Sequence, residues 1–585
     1  MYISVGEKVI KLILYNIIKY ILISQIFYTT ELLANNYSKN NPEASSEKQN
    51  ISKSSSKNYM IVTADYRATK AAEKILILGG NALDAAIAAQ NVLSVIEPQS
   101  SGLGGGGFLL FYDNIKKKLQ AWDGREKAPI SATANMFIIN YNKKMDFIDA
   151  VNNKSSIGIP GLYSMLADAH AENGNLEWYK LFKEAINYAE GFTMSPRLNK
   201  LLTWAPHLKN NDFAQSTYFY NNKPIQVGTI IKNLKLKESL KSLSKNSYSI
   251  NTGAIAKKIS KKLNGYISKK DLKNWKTIKR KALCKDIIQY KICGFPPPTS
   301  GGISTIQILG ILANKIKYLD KKNSVTASHL FMEASRLAYL DRAAYIADPA
   351  YFKVPTSTLI SNSYLEKRSS LINSKKHSSN FKKGKLLNFN DSKINSGENY
   401  EQKSTTHISI VDKYGNAVAL TSSIEFAFGS GISVGGFFLN NQLTDFSFFN
   451  KDLEGKIIAN AVYPGKKPRS SMAPTLIFEK NKLLGVIGSP GGSRIICYVA
   501  KTIYEILYLK TDPAEAITKP HICSRNQYSE IEEHPHANEL IQKLKSMGHN
   551  IKIKKMTSGL NIIWKDGDNW LGIADNRREG YSFGN

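Results

Sequence analysis

The run Gly102-Leu-Gly-Gly-Gly-Gly107 constrains this chain more than any other stretch. It fits the G-x-G-x-x-G spacing of a dinucleotide-binding turn. Such a turn needs a strand before the glycines and a helix after them, so that pyrophosphate meets a helix N-terminus. Here the order is reversed. Residues 81–95 are Ala-rich and apolar on most faces, which predicts a buried helix. Residues 108–112 read as a strand. A bound NAD or FAD is therefore excluded. The glycines instead permit close backbone approach, or expose amides to a ligand.

The pattern continues on both sides. Residues 60–64 read as a short strand, and 69–78 have helical apolar spacing that stops at Gly79-Gly80. Residues 155–385 are mostly helical by pattern, broken by a rigid loop at Pro296-Pro-Pro-Thr-Ser-Gly-Gly302. Residues 373–404 are dominated by Lys, Ser and Asn, which predicts a mobile surface segment. The character changes sharply at Thr405. Residues 406–411 and 416–421 read as strands joined by a hairpin at Asp412-Lys-Tyr-Gly415. Strands at 474–478 and 484–488 and a helix at 494–508 follow.

With 585 residues, 42% of them apolar, the chain can bury a large core, and length alone suggests two to four domains, with one domain of unusual size as the alternative. The net charge of +32 is mostly Lys, interleaved with Asn and Ile. From Thr405 onward there are 21 Lys+Arg against 17 Asp+Glu, so only +4 of the excess lies there. Zinc-finger spacings and RNP-type aromatic runs are missing, so no nucleic-acid partner is expected. Cys284, Cys293, Cys497 and Cys523 are too few and too scattered for a disulfide scaffold, and a Cys284–Cys293 bridge is left open. His521, Cys523, His534 and His536 match no standard zinc spacing. Residues 1–34 read as a signal peptide, with a retained membrane anchor as the alternative. The expected location is periplasmic or secreted. Residues 35–57 read as a disordered linker.

Several segments together resemble one family. They are Gly79-Gly-Asn-Ala-Leu-Asp-Ala-Ala86, Glu97-Pro-Gln-Ser-Ser-Gly102 with the glycine run, and Asp123-Gly-Arg-Glu-Lys-Ala-Pro129. Pro296 to Gly302 and Ala347-Asp-Pro-Ala-Tyr-Phe-Lys-Val-Pro355 follow, then Thr405-Thr-His-Ile-Ser-Ile-Val-Asp412 and Leu439-Asn-Asn-Gln-Leu-Thr-Asp-Phe-Ser447. Pro468-Arg-Ser-Ser-Met472 and Gly488-Ser-Pro-Gly-Gly-Ser-Arg494 complete the set. Their order, from about residue 60 to 582, is similar to that of the γ-glutamyltransferases. The resemblance implies an α+β fold, a four-layer αββα sandwich of the N-terminal-nucleophile type. It also implies one precursor that cuts itself between Ser404 and Thr405 into a large subunit (58–404) and a small one (405–585), which stay together as a heterodimer.

The implied chemistry follows residue by residue. A Thr hydroxyl is a poor nucleophile without a base. Once N-terminal, Thr405 carries its own base, an α-amino group with a pKa of about 7.7–8. Ser423 stands where the family usually has Thr, and its hydroxyl is expected to bond Thr405 with looser positioning. Arg125 offers a planar fork to the substrate α-carboxylate, with Ser470 and Ser471 adding hydroxyls. Asp445 takes the α-ammonium, helped by Gln442 and Glu425. Gly491 and Gly492 supply N–H groups to the oxyanion. The implied donor is glutathione or another γ-glutamyl amide, and the acceptor is water, an amino acid or a peptide. No metal or organic cofactor is needed. Two rivals remain: a cephalosporin- or glutaryl-type acylase on the same scaffold, and an uncleaved homologue without activity.

Overall fold

The computed structural model describes residues 50–140, 143–319, 324–386, 394–395, 404–451, 454–525, 528–535 and 537–585. Fourteen strands build two seven-stranded, wholly antiparallel sheets. In chain order they are β1 (Ser52–Ser56), β2 (Met60–Thr63), β3 (Gly106–Asp113), β4 (Lys118–Asp123), β5 (Ile278–Arg280), β6 (Leu283–Ile287) and β7 (Tyr290–Gly294). After the polar segment come β8 (Ser404–Val411), β9 (Ala417–Glu425), β10 (Thr475–Glu479), β11 (Lys482–Gly488), β12 (Asn561–Asp566), β13 (Asn569–Ala574) and β14 (Tyr581–Gly584). The first sheet runs β5-β4-β3-β9-β8-β2-β14, and the second runs β1-β13-β12-β11-β10-β7-β6.

The sequence alternation decides which face meets what. In the first sheet Ile61, Leu109, Phe111, Ile408, Ile410, Val418 and Leu420 face one core, packed under helices α1 (Tyr66–Ile77) and α2 (Ala82–Ile96). Their neighbours Met60, Val62, Phe108, Leu110, Ala417 and Ala419 face the other core, shared with the second sheet. Side chains on a strand alternate faces, so a strand apolar throughout must be covered on both sides. Helices α3 (Gly301–Ala313), α4 (Ser324–Tyr345) and α5 (Arg494–Leu507) close the second sheet's outer side. The result is the four-layer αββα sandwich. Helix α2 starts with a reciprocal capping box: the Asn81 side chain accepts from the Asp84 amide, and the Asp84 carboxylate accepts from the Asn81 amide.

Several expectations are corrected here. Between two to four domains and one of unusual size, the described residues fall in one unit, 43–585. The expected linker 35–57 ends in an edge strand: Ser52–Ser56 pairs with β13, while Ser54 Oγ donates to Ser582 O at 2.8 Å and Ser56 Oγ to Asn585 O at 2.6 Å. A polar strand suits an edge with one face in solvent. The helical reading of 155–385 missed β5, β6 and β7, which are short and Lys-rich. Of the expected mobile segment, residues 387–393 and 396–403 lie outside the described residues. Its beginning is anchored to α4, with the Gly384 amide donating to Asp341 Oδ1 at 2.8 Å.

Two disulfides are present. Cys284–Cys293 joins the paired strands β6 and β7, and Cys497–Cys523 joins α5 to the strand Ile522–Ser524. The second bridge was not anticipated, and it removes Cys523 from the weighed zinc pattern. His521 is buried with Nε2 against Ser558 Oγ at 2.7 Å, and His536 lies outside the described residues. No helix among the described residues is long and apolar enough to cross a membrane, and residues 1–34 lie outside them.

His407 sits fully buried on β8, with Nδ1 2.8 Å from Thr421 Oγ1 and Nε2 3.1 Å from Ser409 Oγ. Burial lowers its pKa to about 3, so the folded ring is neutral. The unfolded chain then binds one more proton between pH 6.5 and 3. This stabilising contribution is present above pH 6.5 and is lost as pH falls. The expected slope from this residue is about 1.4 kcal/mol per pH unit. Urea midpoints measured from pH 6.5 to 4.5 should fall less steeply for His407→Gln than for the unsubstituted chain.

Candidate active site

Thr405 follows the first residue of β8. The register there is irregular: Ser404 pairs with Glu425, while Thr406 pairs with Ser422. Strand β9 therefore carries one extra residue opposite Thr405. Such bulges bend a strand and re-aim a side chain. The re-aimed groups form a short hydrogen-bonded chain. Thr405 Oγ1 donates to Ser423 Oγ at 3.2 Å, and Ser423 Oγ donates to the Ser404 carbonyl at 2.8 Å. The Glu425 amide donates to Ser423 Oγ at 2.9 Å. Three hydrogen bonds thus hold the hydroxyl whose missing methyl suggested looser positioning. Glu425 itself, at φ 80°, takes the left-handed conformation that ends the strand.

Thr405 and Ser423 open onto a pocket also lined by Arg125, Gln442, Asp445, Ser470, Ser471, Met472, Gly492 and Ile495. Residues from 125 to 495 converge on one cavity, and most of them are those picked from the sequence. Arg125 follows β4 and is fully buried. Its Nη2 donates to Asp445 Oδ2 at 2.5 Å and to Arg469 O at 3.1 Å, and its Nε donates to Pro468 O at 3.1 Å. Gln442 Nε2 donates to the same Asp445 oxygen at 2.7 Å. The two expected substrate anchors are thus paired with each other out of solvent.

Glu425 and Gly491 stand beside the pocket without lining it. Asn441 Nδ2 donates to Glu425 Oε2 at 2.7 Å. Gly491 and Gly492, at φ +133° and +58°, form the turn before α5. A Cβ on Gly491 would lie 2.5 Å from the Tyr498 ring, so both glycines are required by the backbone. The turn places them at a helix N-terminus, where amides and dipole favour negative charge.

Sequence reasoning missed three neighbours. Arg342 Nη2 donates to Ser471 Oγ at 2.7 Å, and its Nε donates to Ser300 Oγ at 2.8 Å, tying the Pro296–Gly302 loop to the pocket wall. Arg578 Nη1 donates to the Thr405 carbonyl at 3.1 Å. Glu126 packs behind Arg125, fully buried, with the guanidinium Nη1 3.6 Å from its Oε2. Burial outweighs that nearby charge and pushes its carboxyl up to about 8. Glu126 belongs to the Asp123–Pro129 segment, where the resemblance gives it no role. Arg342 and Arg578 stand in otherwise ordinary helical and loop sequence.

Facing antiparallel sheets between helical layers, with a threonine linked through Ser423 to its own preceding carbonyl, define an N-terminal-nucleophile hydrolase. A family model described as gamma-glutamyltranspeptidase matches residues 68–584, and the chain belongs to that family. It is 32% identical over 544 residues to a glutathione hydrolase proenzyme of Bacillus subtilis (strain 168), covering 90% of this chain and 92% of the relative. It is 33% identical over 535 residues to the glutathione hydrolase proenzyme of Escherichia coli (strain K12), covering 88% and 90%. Among solved structures, a cephalosporin acylase from Bacillus halodurans superposes with a TM-score of 0.79 at 24% identity, over 92% of this chain and 97% of that one. At that identity the likeness shows the fold.

Proposed function

We propose that the chain cuts itself before Thr405 and then transfers γ-glutamyl groups from glutathione or similar amides to water or an amino acid. The observation that carries this is the chain Thr405 Oγ1–Ser423 Oγ–Ser404 O beside the Arg125–Asp445 pocket. Ser423 accepts from the nucleophile and donates to the carbonyl to be attacked. Thr405 Oγ attacks the Ser404 carbonyl carbon, the C–N bond breaks, and the proton leaves on the Thr405 nitrogen. Water then splits the resulting ester, leaving a Ser404 carboxylate and a free Thr405 amine.

In turnover that amine takes the hydroxyl proton while Oγ attacks the γ-glutamyl amide. The amine product leaves, and water or an acceptor amine resolves the ester. Arg125 turns its fork to the substrate α-carboxylate, with Ser470 and Ser471. Asp445 takes the α-ammonium, supported by Gln442 and Glu425. A zwitterion inserts between two charges that otherwise pair, so neither is left buried and alone. Gly491 and Gly492 face the oxyanion, an arrangement worth about 100- to 1,000-fold per donor. A glutaryl chain has no ammonium for Asp445, which favours a γ-glutamyl donor over the acylase reading. Export fits the two disulfides, which persist in oxidising compartments.

Intact-mass analysis followed by an assay for cysteinylglycine release from glutathione tests the reading. Two fragments, the smaller beginning at Thr405, are expected. An uncut chain, or release of glutaryl groups in preference to γ-glutamyl, contradicts it. Ser423→Ala should slow self-cleavage by about 10- to 100-fold, the loss of one bond to a developing oxyanion. Timed denaturing gels of freshly made protein measure this, and an unchanged rate removes Ser423 from the step.

A further inference from the structure

Three of the nine histidines in the chain meet one glutamate away from the pocket. Helix α4 carries His329 and Glu333, His377 belongs to the segment after it, and His549 precedes the strand Ile551–Lys554. Glu333 lies nine residues before Arg342, so the cluster is about 13 Å along the helix from the pocket wall. One donor atom each from Glu333, His377 and His549 lies within 4.8 Å of the other two. Glu333 and His329 are fully buried, and His549 is 4% exposed.

The hydrogen bonds set the tautomers. His329 Nε2 is 2.7 Å from the Asn373 carbonyl, which can only accept, so Nε2 carries the proton. With the proton on Nε2, a neutral His329 ring keeps a lone pair on Nδ1. That lone pair lies 2.7 Å from His549 Nε2, which must donate. The remaining nitrogen of a neutral His549, Nδ1, then presents a lone pair. It is buried and has no hydrogen-bond partner among the described residues. A ring that donates one N–H to a fixed acceptor and keeps a bare lone pair on the other nitrogen is the arrangement of a metal-ligating histidine.

We propose that Glu333, His377 and His549 form a binding site for a divalent transition metal of the zinc class. Two imidazoles and a carboxylate suit such an ion. Bonds of about 2.0–2.1 Å in tetrahedral geometry put ligand atoms about 3.3 Å apart. His377 Nδ1 lies 2.9 Å from Glu333 Oε1, and all three donor atoms lie within 4.8 Å of one another, close enough for small side-chain shifts to reach that spacing. Arg336 is the competing cation. Its Nη1 lies 3.0 Å from Glu333 Oε1 and 3.2 Å from His377 Nδ1. The same Nη1 donates to Ser378 O at 2.6 Å, and the guanidinium lies 4.9 Å from the Phe381 ring centroid, so a metal must displace Nη1 from Glu333 and His377 to enter. The ion would fasten α4 to the segment leading toward the cleavage site and to the turn before Ile551. It takes no part in acyl transfer, so the inference stands apart from the proposed activity.

The test uses the full chain without an added histidine tag, stripped by a chelator and dialysed. Titration with Co²⁺ should show one ion per chain with the visible d–d bands of a four-coordinate site, bleached by Zn²⁺. Zn²⁺ should raise Tm by about 3 °C or more. His377→Ala, on a partly exposed segment, and Glu333→Gln should each weaken Co²⁺ binding at least tenfold and abolish the Tm shift. Absence of both bands and shift in the unsubstituted chain overturns the proposal, whatever the variants do. So does binding that neither substitution weakens.

Discussion

Replacing Thr405 with Ala should leave one uncut chain on a denaturing gel and lower turnover of a γ-glutamyl anilide by about 1,000-fold or more. Alanine has no oxygen to attack the Ser404 carbonyl, so no ester forms and no N-terminal amine appears. Both the nucleophile and its base are lost in one change. Thr405→Ser keeps the oxygen and should still cut, more slowly. It lacks the methyl that restricts the rotamer of a β-branched side chain. Its hydroxyl therefore spends less time aimed at Ser423 and the carbonyl, and small misplacements of reacting groups are costly. An Ala variant that is still cut at this bond, or still turns over substrate well above background, removes Thr405 from the mechanism.

Arg125→Lys should raise KM for glutathione by about 10- to 100-fold while self-cleavage stays within a few-fold. Lysine keeps a positive charge near Asp445 but cannot reproduce the fork. Arg125 donates at once to Asp445, Pro468 O and Arg469 O, and its Nη1 points to Glu126. None of these groups belongs to the Thr405–Ser423–Ser404 chain, which explains the expected separation of the two readouts. Steady-state kinetics and timed gels on the same preparation measure both. Equal loss of cutting and binding would make Arg125 a residue of the fold and not of the substrate site.

Much of this was legible in advance because strong local rules agreed with the final packing. The Gly79-Gly80 stop, the Ala-rich run 81–95 and the Asp412–Gly415 hairpin place α1, α2, β8 and β9 within a few residues of their observed ends. The site residues came from motifs, and eight of them line one pocket. What escaped depended on distant partners. Ser52–Ser56 has the composition of a linker and becomes a strand only through β13 and Ser582. The Cys497–Cys523 bridge needs α5 packed against a strand 26 residues on. The bulge opposite Thr405 has no sequence signature, since it arises from the register of β8 against β9. Arg342 and Arg578 carry no local pattern that separates them from other arginines.

Strand order in the first sheet has a consequence in time. Reading across it, β5, β4 and β3 precede the scissile bond, β9 and all of β8 but Ser404 follow it, β2 precedes it and β14 follows it. The second sheet is interleaved in the same way. Each future fragment would therefore lack the neighbours that satisfy its own strand edges. Only the intact chain can assemble this sandwich as a single-molecule event, with loop closure standing in for encounter. Cutting afterwards removes that advantage and detaches from the ladders only the Ser404–Glu425 pair at the start of β8. The processed form is then a state with a memory: it persists through the packing it inherited. Once unfolded, its two pieces must find each other by diffusion, and the route that made them is closed.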